Sequence, residues 1–435
     1  LEEQSATQKM VQAPKRKPFS ISALFATTFA SLKHRNYRTF FFGQIISLVG
    51  TWTQSTAQGW LVYDLTKSIQ WTGIVIGLGS APMLILSLIG GGVADRFQRR
   101  KILVITQSAS VIPPLILGLL ILTGAVQVWH IAVAATMLGI INAFDMPARQ
   151  AFVIELVGRE DLMNAIGLNS GMFNTARIIG PAVAGIVMVS VGMGYCFVLN
   201  GLSFIAAVIA LLIIRLPAPT VQQHKGSAWK HLTSGVKYIL SDRRLSGLFA
   251  LVAIVGVLGF SYVALLPAFV RDILGKSEKE YASVLTFVGF GSVAGALFVA
   301  TVAEKAKSKK RILTVGIVIL SVSLFTISLT KEYSIALIPL PFIGMGMIMF
   351  LSTANTLVQT NVSDEYRGRV MGMWTLVFGG SMPVGAVLSG TVAEYLGVPL
   401  TIQICSCLCI IAAISAAILS RRKNAQRGSP AAFQR

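Results

Sequence analysis

The chain has 435 residues, 54% of them hydrophobic and 12% charged, with a formal net charge of +20. The charged share is about half that of a soluble domain, which excludes an ordinary soluble globular fold. The four histidines are scattered and offer no metal-ligand spacing. Cys196, Cys405, Cys407 and Cys409 lie within apolar runs and read as packing residues.

Lys9, Lys15, Arg16 and Lys17 form a basic stretch near the start. Ile21, Leu24, Phe25, Phe29 and Leu32 then recur at helical spacing among Ser and Thr, the pattern of an amphipathic helix lying in a membrane interface. Apolar runs of about 20 residues, each enough to cross a bilayer as a helix, fill most of the remaining chain. They cover 39–64, 72–94, 102–123, 129–150, 164–191, 196–214, 245–270, 281–303, 312–330, 334–358, 369–394 and 400–420. We number them spans 1 to 12. The first is too long for a signal peptide.

Span 1 carries Gln44, Ser47, Thr51, Gln54 or Ser55, and Gln58 at intervals of three or four, flanked by Trp52 and Trp60. That spacing makes one polar face, and a polar face in a membrane helix points at neighbours or a cavity. Spans 2 and 3 are joined by the tight charged stretch Gly91-Gly92-Val93-Ala94-Asp95-Arg96-Phe97-Gln98-Arg99-Arg100-Lys101. Its pattern returns over 302–313 with one extra residue, Ser308, and Asp95 and Glu304 stand 209 positions apart. A repeat of that length is a duplicated domain-sized unit, and duplicated six-helix halves are a transporter architecture.

In span 5, Gly180-Pro181 predicts an interruption and a kink, because proline removes a backbone hydrogen bond and clashes with the preceding turn. Gly180 and Gly185 allow a second helix to approach closely. Arg177 sits near mid-span, where an arginine costs about 2.5–3.5 kcal/mol to insert, so it faces protein or water. Asp145 and Asp64 are read as lying nearer opposite ends of their spans. Asn174, carbonyls freed by Pro181, or an anionic substrate are its candidate partners. Pro217 and Pro219 open a linker over 215–244, in which Trp229, Leu232, Val236 and Leu240 form a second amphipathic stretch. Gly289, Gly291 and Gly295 lie inside an apolar run and read as helix-packing sites rather than a phosphate loop.

An even number of spans puts both termini on one side. That side carries Lys33, Arg35, Arg38, the Arg96–Lys101 loop, the linker, the 305–311 loop, Arg367, Arg369 and Arg421-Arg422-Lys423. The other side holds Lys67, Arg271, Lys276, Lys279 and Lys331. This positive-inside bias predicts cytoplasmic termini. The basic excess is thus an orientation signal, not a nucleic-acid footprint.

From about Leu32 to Leu419 the chain resembles the major facilitator superfamily, and within it the enterobactin-exporter-like and macrolide-efflux-like branch. The Asp95–Lys101 loop is similar to the superfamily signature, with Gln98 in place of the usual glycine. Phe144 to Phe152 resembles the branch's signature in span 4. Asn174, Arg177, Gly180-Pro181 and Gly185 resemble its pattern in span 5, and Gln359 with Arg367 to Gly372 its turn between spans 10 and 11.

The resemblance implies an all-α membrane protein, with twelve transmembrane helices in two pseudo-symmetric six-helix halves. The halves would cover 39–214 and 245–420, joined by a cytoplasmic linker at 215–244, with cytoplasmic tails at 1–38 and 421–435. It implies a monomeric secondary transporter in a bacterial inner membrane, not an enzyme, whose partners are its small-molecule substrate and the bilayer. The implied task is export of an amphipathic, siderophore- or drug-like molecule by alternating access, with no cofactor and a proton gradient as energy source. A lipid or lysophospholipid flippase of the same fold is the alternative. A non-transporting scaffold or intramembrane enzyme is remote, since no catalytic constellation supports it.

Asp95 would accept hydrogen bonds from the N-terminus of span 11, where backbone donors are free. Arg99 would tie it to Asp145, forming a gating latch with Arg96, Arg100 and Arg149 nearby. The resemblance also implies a central cavity among spans 1, 4, 7 and 10, lined by Gln44, Thr51, Gln54, Gln58, Asn142, Arg177, Tyr262, Asn355 and Gln359. Met345, Met347 and Met349 read first as core packing and second as an adaptable wall. The sequence offers no evident mid-depth carboxylate to carry a proton, so coupling rests on the resemblance.

Overall fold

The computed structural model describes residues 29–216, 228–303 and 309–427. Every regular element among them is helical. A single 3₁₀ turn, Ala30–Lys33, leads into six long helices: α1 (Arg35–Thr66), α2 (Ile69–Arg96), α3 (Arg99–Leu122), α4 (Val128–Val157), α5 (Leu162–Ser190) and α6 (Gly194–Ile213). The linker helix α7 (Ala228–Ser241) comes next. The second half contains α8 (Arg243–Gly259), α9 (Tyr262–Ala268), α10 (Glu278–Phe298), α11 (Lys309–Leu329), α12 (Tyr333–Ala336), α13 (Leu340–Asn361), α14 (Asp364–Leu396) and α15 (Val398–Arg427).

Helices dominate because a chain in hydrocarbon must satisfy its backbone internally. Eleven segments are long and apolar enough to cross a membrane. The remaining long helix, α1, has 32 residues and reaches ~48 Å. Its polar stripe dilutes its apolar character. Span 7 is broken near Ser261 into α8 and α9, and a π-helical turn, Phe269–Ile273, ends it. Residues 21–25 of the expected interfacial helix and 304–308 of the repeated loop lie outside the described residues, as do 217–227 of the linker. Within α7, Tyr238 stacks on Tyr366 of α14 at 4.4 Å, while Val236 and Leu240 stay exposed.

The chain reverses from one span to the next, with α8 and α9 forming one span and α12 leading into α13, so α1 begins and α15 ends at one end of the bundle. We call this the terminal end and its opposite the far end. The packing repeats between halves. In the first, α2 packs on α4, α3 on α6 and α1 on α5; in the second, α10 packs on α13, α11 on α15 and α8 on α14. Two seams join the halves: α2 against α14, and α5 against α10. Both need small residues. A Cβ on Gly73 of α2 would lie 2.2 Å from the Ala386 carbonyl oxygen of α14, so only glycine allows that approach. The core of the second half continues at the far end into Trp60, Tyr63 and Ile69 of the first.

Candidate functional site

A cavity of about 700 Å³ opens between the halves. Its wall is built mainly from α1, α2, α4 and α5, with Asn200 and Phe204 from α6, and is closed by Thr375, Leu376, Gly379 and Met382 of α14. The polar stripe of α1 faces it through Ser47, Thr51, Gln54, Ser55 and Gln58. Asn200 anchors that stripe. It donates to Gln54 Oε1 at 2.6 Å, and its Oδ1 accepts from Ser203 Oγ at 3.2 Å. Asn200 was legible as the lone amide in a strongly apolar run, but the sequence does not say that it meets α1. Around these polar groups stand Met83, Met146, Met172, Phe173 and Met382. The cavity therefore combines a few fixed hydrogen-bonding groups with deformable apolar walls, which suits an amphipathic guest.

Of the expected lining residues, Thr51, Gln54, Gln58 and Asn142 are on this wall. Gln44, Arg177, Tyr262, Asn355 and Gln359 are not. Gln44 is buried beside the stripe, and its Oε1 has no hydrogen-bond partner. Tyr262 is buried in the second-half core. Asn355 and Gln359 bond to each other along α13 at 2.5 Å. Met347 and Met349 are core residues; the methionines of the wall come from α2, α4, α5 and α14 instead.

Asp145 changes the reading of coupling. It was expected near one end of span 4, but α4 continues to Val157 and leaves Asp145 near the middle of a 30-residue helix. Its side chain is 2% exposed and forms part of the cavity wall. The carboxylate accepts from Thr106 Oγ1 and Gln107 Nε2, both at 2.7 Å. It also pairs with the Arg149 guanidinium, one helical turn on, whose Nε lies at 2.8 Å. A buried carboxylate thus stands on the cavity wall, inside α4 rather than at its end.

The same geometry corrects the latch. Arg99 does not reach Asp145; it pairs with Glu155 at 2.6 Å. Arg99 is the first residue of α3 and lies across from the last turns of α4. Asp145 is ten residues deeper than Glu155, about 15 Å along the helix. Arg100 donates to the Leu211 and Leu212 carbonyls at 2.7 and 2.8 Å, a cation on the free acceptors at the end of α6. Asp95 and Arg96 are exposed. Asp95 makes no hydrogen bond or ion pair among the described residues.

The described polar bonds between the halves lie elsewhere. At the far end, Arg271 pairs with Asp64 and Tyr63 donates to Asp272. The Arg271 guanidinium also stands 5.7 Å from the Trp60 ring centroid, and Trp60 meets Tyr281 at 5.6 Å. Glu394 of α14 accepts from Ser68 Oγ and from the Ile69 and Gln70 amides of α2. The far end is therefore shut, while the cavity wall runs from Gln58 to Phe40 and Asn169 near the terminal end. At the terminal end of the same seam, Asp95 is exposed and makes no such contact to α14 among the described residues.

Pro181 does not end α5, which runs unbroken from Leu162 to Ser190. Instead, Gly180 and Gly185 permit contact. A Cβ on Gly180 would fall 2.3 Å from Trp52 Cβ, and one on Gly185 2.9 Å from Ala282 Cβ. The Gly180 carbonyl accepts from Thr53 Oγ1 at 3.1 Å. Arg177 meets neither Asn174, whose amide turns to the Ser170 carbonyl, nor a carboxylate. Its partners are the Met347 sulfur at 3.5 Å across the seam and the Trp52 ring at 5.5 Å.

Two halves with matching internal packing, shut over a cavity at one end, form the fold of the major facilitator class. Within that class, residues 26–432 match a family model described as a transmembrane secretion effector. The chain belongs to that family, in the branch that holds the enterobactin exporters and macrolide efflux proteins. It is 26% identical to the staphyloferrin A transporter of Staphylococcus aureus, over 85% of this chain and 93% of that protein. It is 24% identical to the multidrug efflux pump Tap of Mycolicibacterium fortuitum, over 84% and 91% of the two chains. It is 25% identical to the enterobactin exporter EntS of Shigella boydii, over 82% and 85%. Among solved structures, the nucleoside transporter NupG superposes with a TM-score of 0.73 at 13% identity, covering 88% of this chain and 98% of that one. A bacterial homologue of Spinster in an inward-facing, unoccupied conformation gives 0.69 at 15% identity, covering 91% and 98%. The chain is a transporter and not an enzyme.

Proposed function

We propose that this protein exports an amphipathic, siderophore- or drug-like small molecule across a bacterial inner membrane by alternating access, driven by a proton gradient. The observation that carries the proposal is Asp145, a buried carboxylate on the wall of a cavity that is shut at one end. Ionisable residues within membrane helices are functional by default, and this one stands on the cavity wall, paired with Arg149. Protonation removes the charge that holds Arg149 on its own helix, so the proton state and the cavity wall change together. The staphyloferrin A, multidrug and enterobactin relatives support a small amphipathic cargo. The charge bias supports cytoplasmic termini, so the cavity would face the cytoplasm in this conformation.

Purified protein in proteoliposomes, assayed with and without a pH gradient, tests the proposal. Uptake of enterobactin, staphyloferrin A or a macrolide that rises when the gradient is imposed is the expected result. Transport that ignores the gradient would refute proton coupling. No transport of any of the three would refute the cargo class.

A further inference from the structure

The Glu394 contact has a second meaning. The first turn of α2 lacks a sufficient cap of its own. Its N-cap, Ser68, accepts a hydrogen bond from Trp71 at 3.4 Å, which leaves the next amides open. Those of Ile69 and Gln70 point at Glu394 Oε2, at 3.0 and 3.3 Å, and Ser68 Oγ donates to the same oxygen at 3.2 Å. The acceptor for one half's helix N-terminus is thus supplied by the other half. The N-terminus of α10, at the other seam, does not need this. It closes its own capping box through Ser277 and Glu280.

The opposite end of the same helix pair has matching parts that are not engaged. The N-cap of α14, Ser363, makes no side-chain cap hydrogen bond. Asp95 stands in the last turn of α2, exposed and without a bonding partner among the described residues. Because α2 and α14 run antiparallel, each carries a carboxylate near its C-terminus that can cap the N-terminus of the other. One such contact lies at each end of the seam. Rocking the halves closes one end as it opens the other, so the two caps exclude each other.

We propose that Glu394 is the far-end gating residue that alternates with Asp95, each capping the partner helix when its own end is closed. This rests on the alternating-access reading above. Glu394 acts through helix-end hydrogen bonds and charge, not through contact with substrate. Asp64–Arg271 and Tyr63–Asp272 remain when Glu394 is replaced, so a substitution shifts the equilibrium without abolishing closure.

The test uses spin-label pairs on the full-length protein. The far-end pair is at Val191 and Ile338 and the terminal-end pair at Met163 and Leu240, all exposed positions. Glu394→Ala should raise the far-open population between about 2- and 30-fold, the range for loss of an N-cap acceptor. Glu394→Gln, which keeps an acceptor oxygen, should give a smaller shift and serves as the variant least able to disturb folding. Asp95→Ala should move both pairs the opposite way, and the double variant should return towards wild type. A Glu394→Ala protein that switches as wild type does would overturn the cap. So would shifts in the same direction for Asp95→Ala and Glu394→Ala, which would mean general loosening. A wild type in which neither pair changes with pH or ligand would instead overturn alternating access.

Discussion

Asp145→Asn is the sharpest perturbation of the cavity wall. The substitution keeps the shape of the side chain and an oxygen for Thr106 and Gln107, but removes the charge facing Arg149. Breaking a buried ion pair by neutralising one partner costs about 3–5 kcal/mol. Here Asp145 is almost fully enclosed, while the Arg149 side chain is 23% exposed. Arg149 can turn towards the cavity and regain water, so the lower end applies, about 3 kcal/mol. Thermal unfolding in detergent should therefore rank Asp145→Asn well below wild type. The double variant Asp145→Asn with Arg149→Gln should recover most of the loss, giving a coupling of about 2 kcal/mol. In proteoliposomes, Asp145→Asn should exchange substrate at equilibrium yet fail to respond to a pH gradient. Two results would refute the reasoning: gradient-driven accumulation by Asp145→Asn, or a double variant no more stable than the single.

Among the described residues, the Arg177 guanidinium meets the Met347 sulfur and the Trp52 ring face, and no carboxylate. If an anionic substrate group completes it, Arg177→Gln should lower affinity about 10–100-fold, as for a lost charged hydrogen bond, and Arg177→Lys should lose less. Unchanged affinity in well-folded Arg177→Gln would end the substrate-contact idea. For topology, a cysteine at position 277 in a cysteine-free background should label from outside the cell, and a tag at 224–230 only from the cytoplasm; the reverse pattern would overturn the orientation. At the terminal end, Asp161 accepts from Lys33 Nζ at 2.8 Å and bonds His34 at 2.6 Å. Those bonds hold its carboxyl below its ordinary value of 3.8. A depressed folded-state pKa gives stability that is present above the ordinary value and lost as pH falls through the folded one. Amides of residues 30–34 should thus lose protection as pH drops through the carboxylate range and below, whereas an Asp161→Asn protein should lack that protection throughout.

The sequence by itself determined the class of the protein. Apolar runs near 20 residues dictate membrane helices because lipid leaves the backbone no other partner. The 209-residue repeat dictates two halves, and the α1 stripe of Gln and Thr dictates a polar surface facing inward. Such signals survive in one dimension because they depend on composition and helical period alone. Pairing between helices does not. Whether Arg99 meets Asp145 or Glu155 depends on how far along α4 it lands, and both acids come after span 3 at plausible spacing. The place of Asp145 within its helix depended on where α4 ends, and only the complete helix put it away from the terminus. Asn200 meeting Gln54, and Glu394 meeting the amides of α2, join residues 146 and more than 300 positions apart. No local pattern encodes such contacts. They are decided by helix docking, which glycines such as Gly73 and Gly180 permit and which the Arg271–Asp64 pair and the Tyr63–Asp272 hydrogen bond hold at the far end.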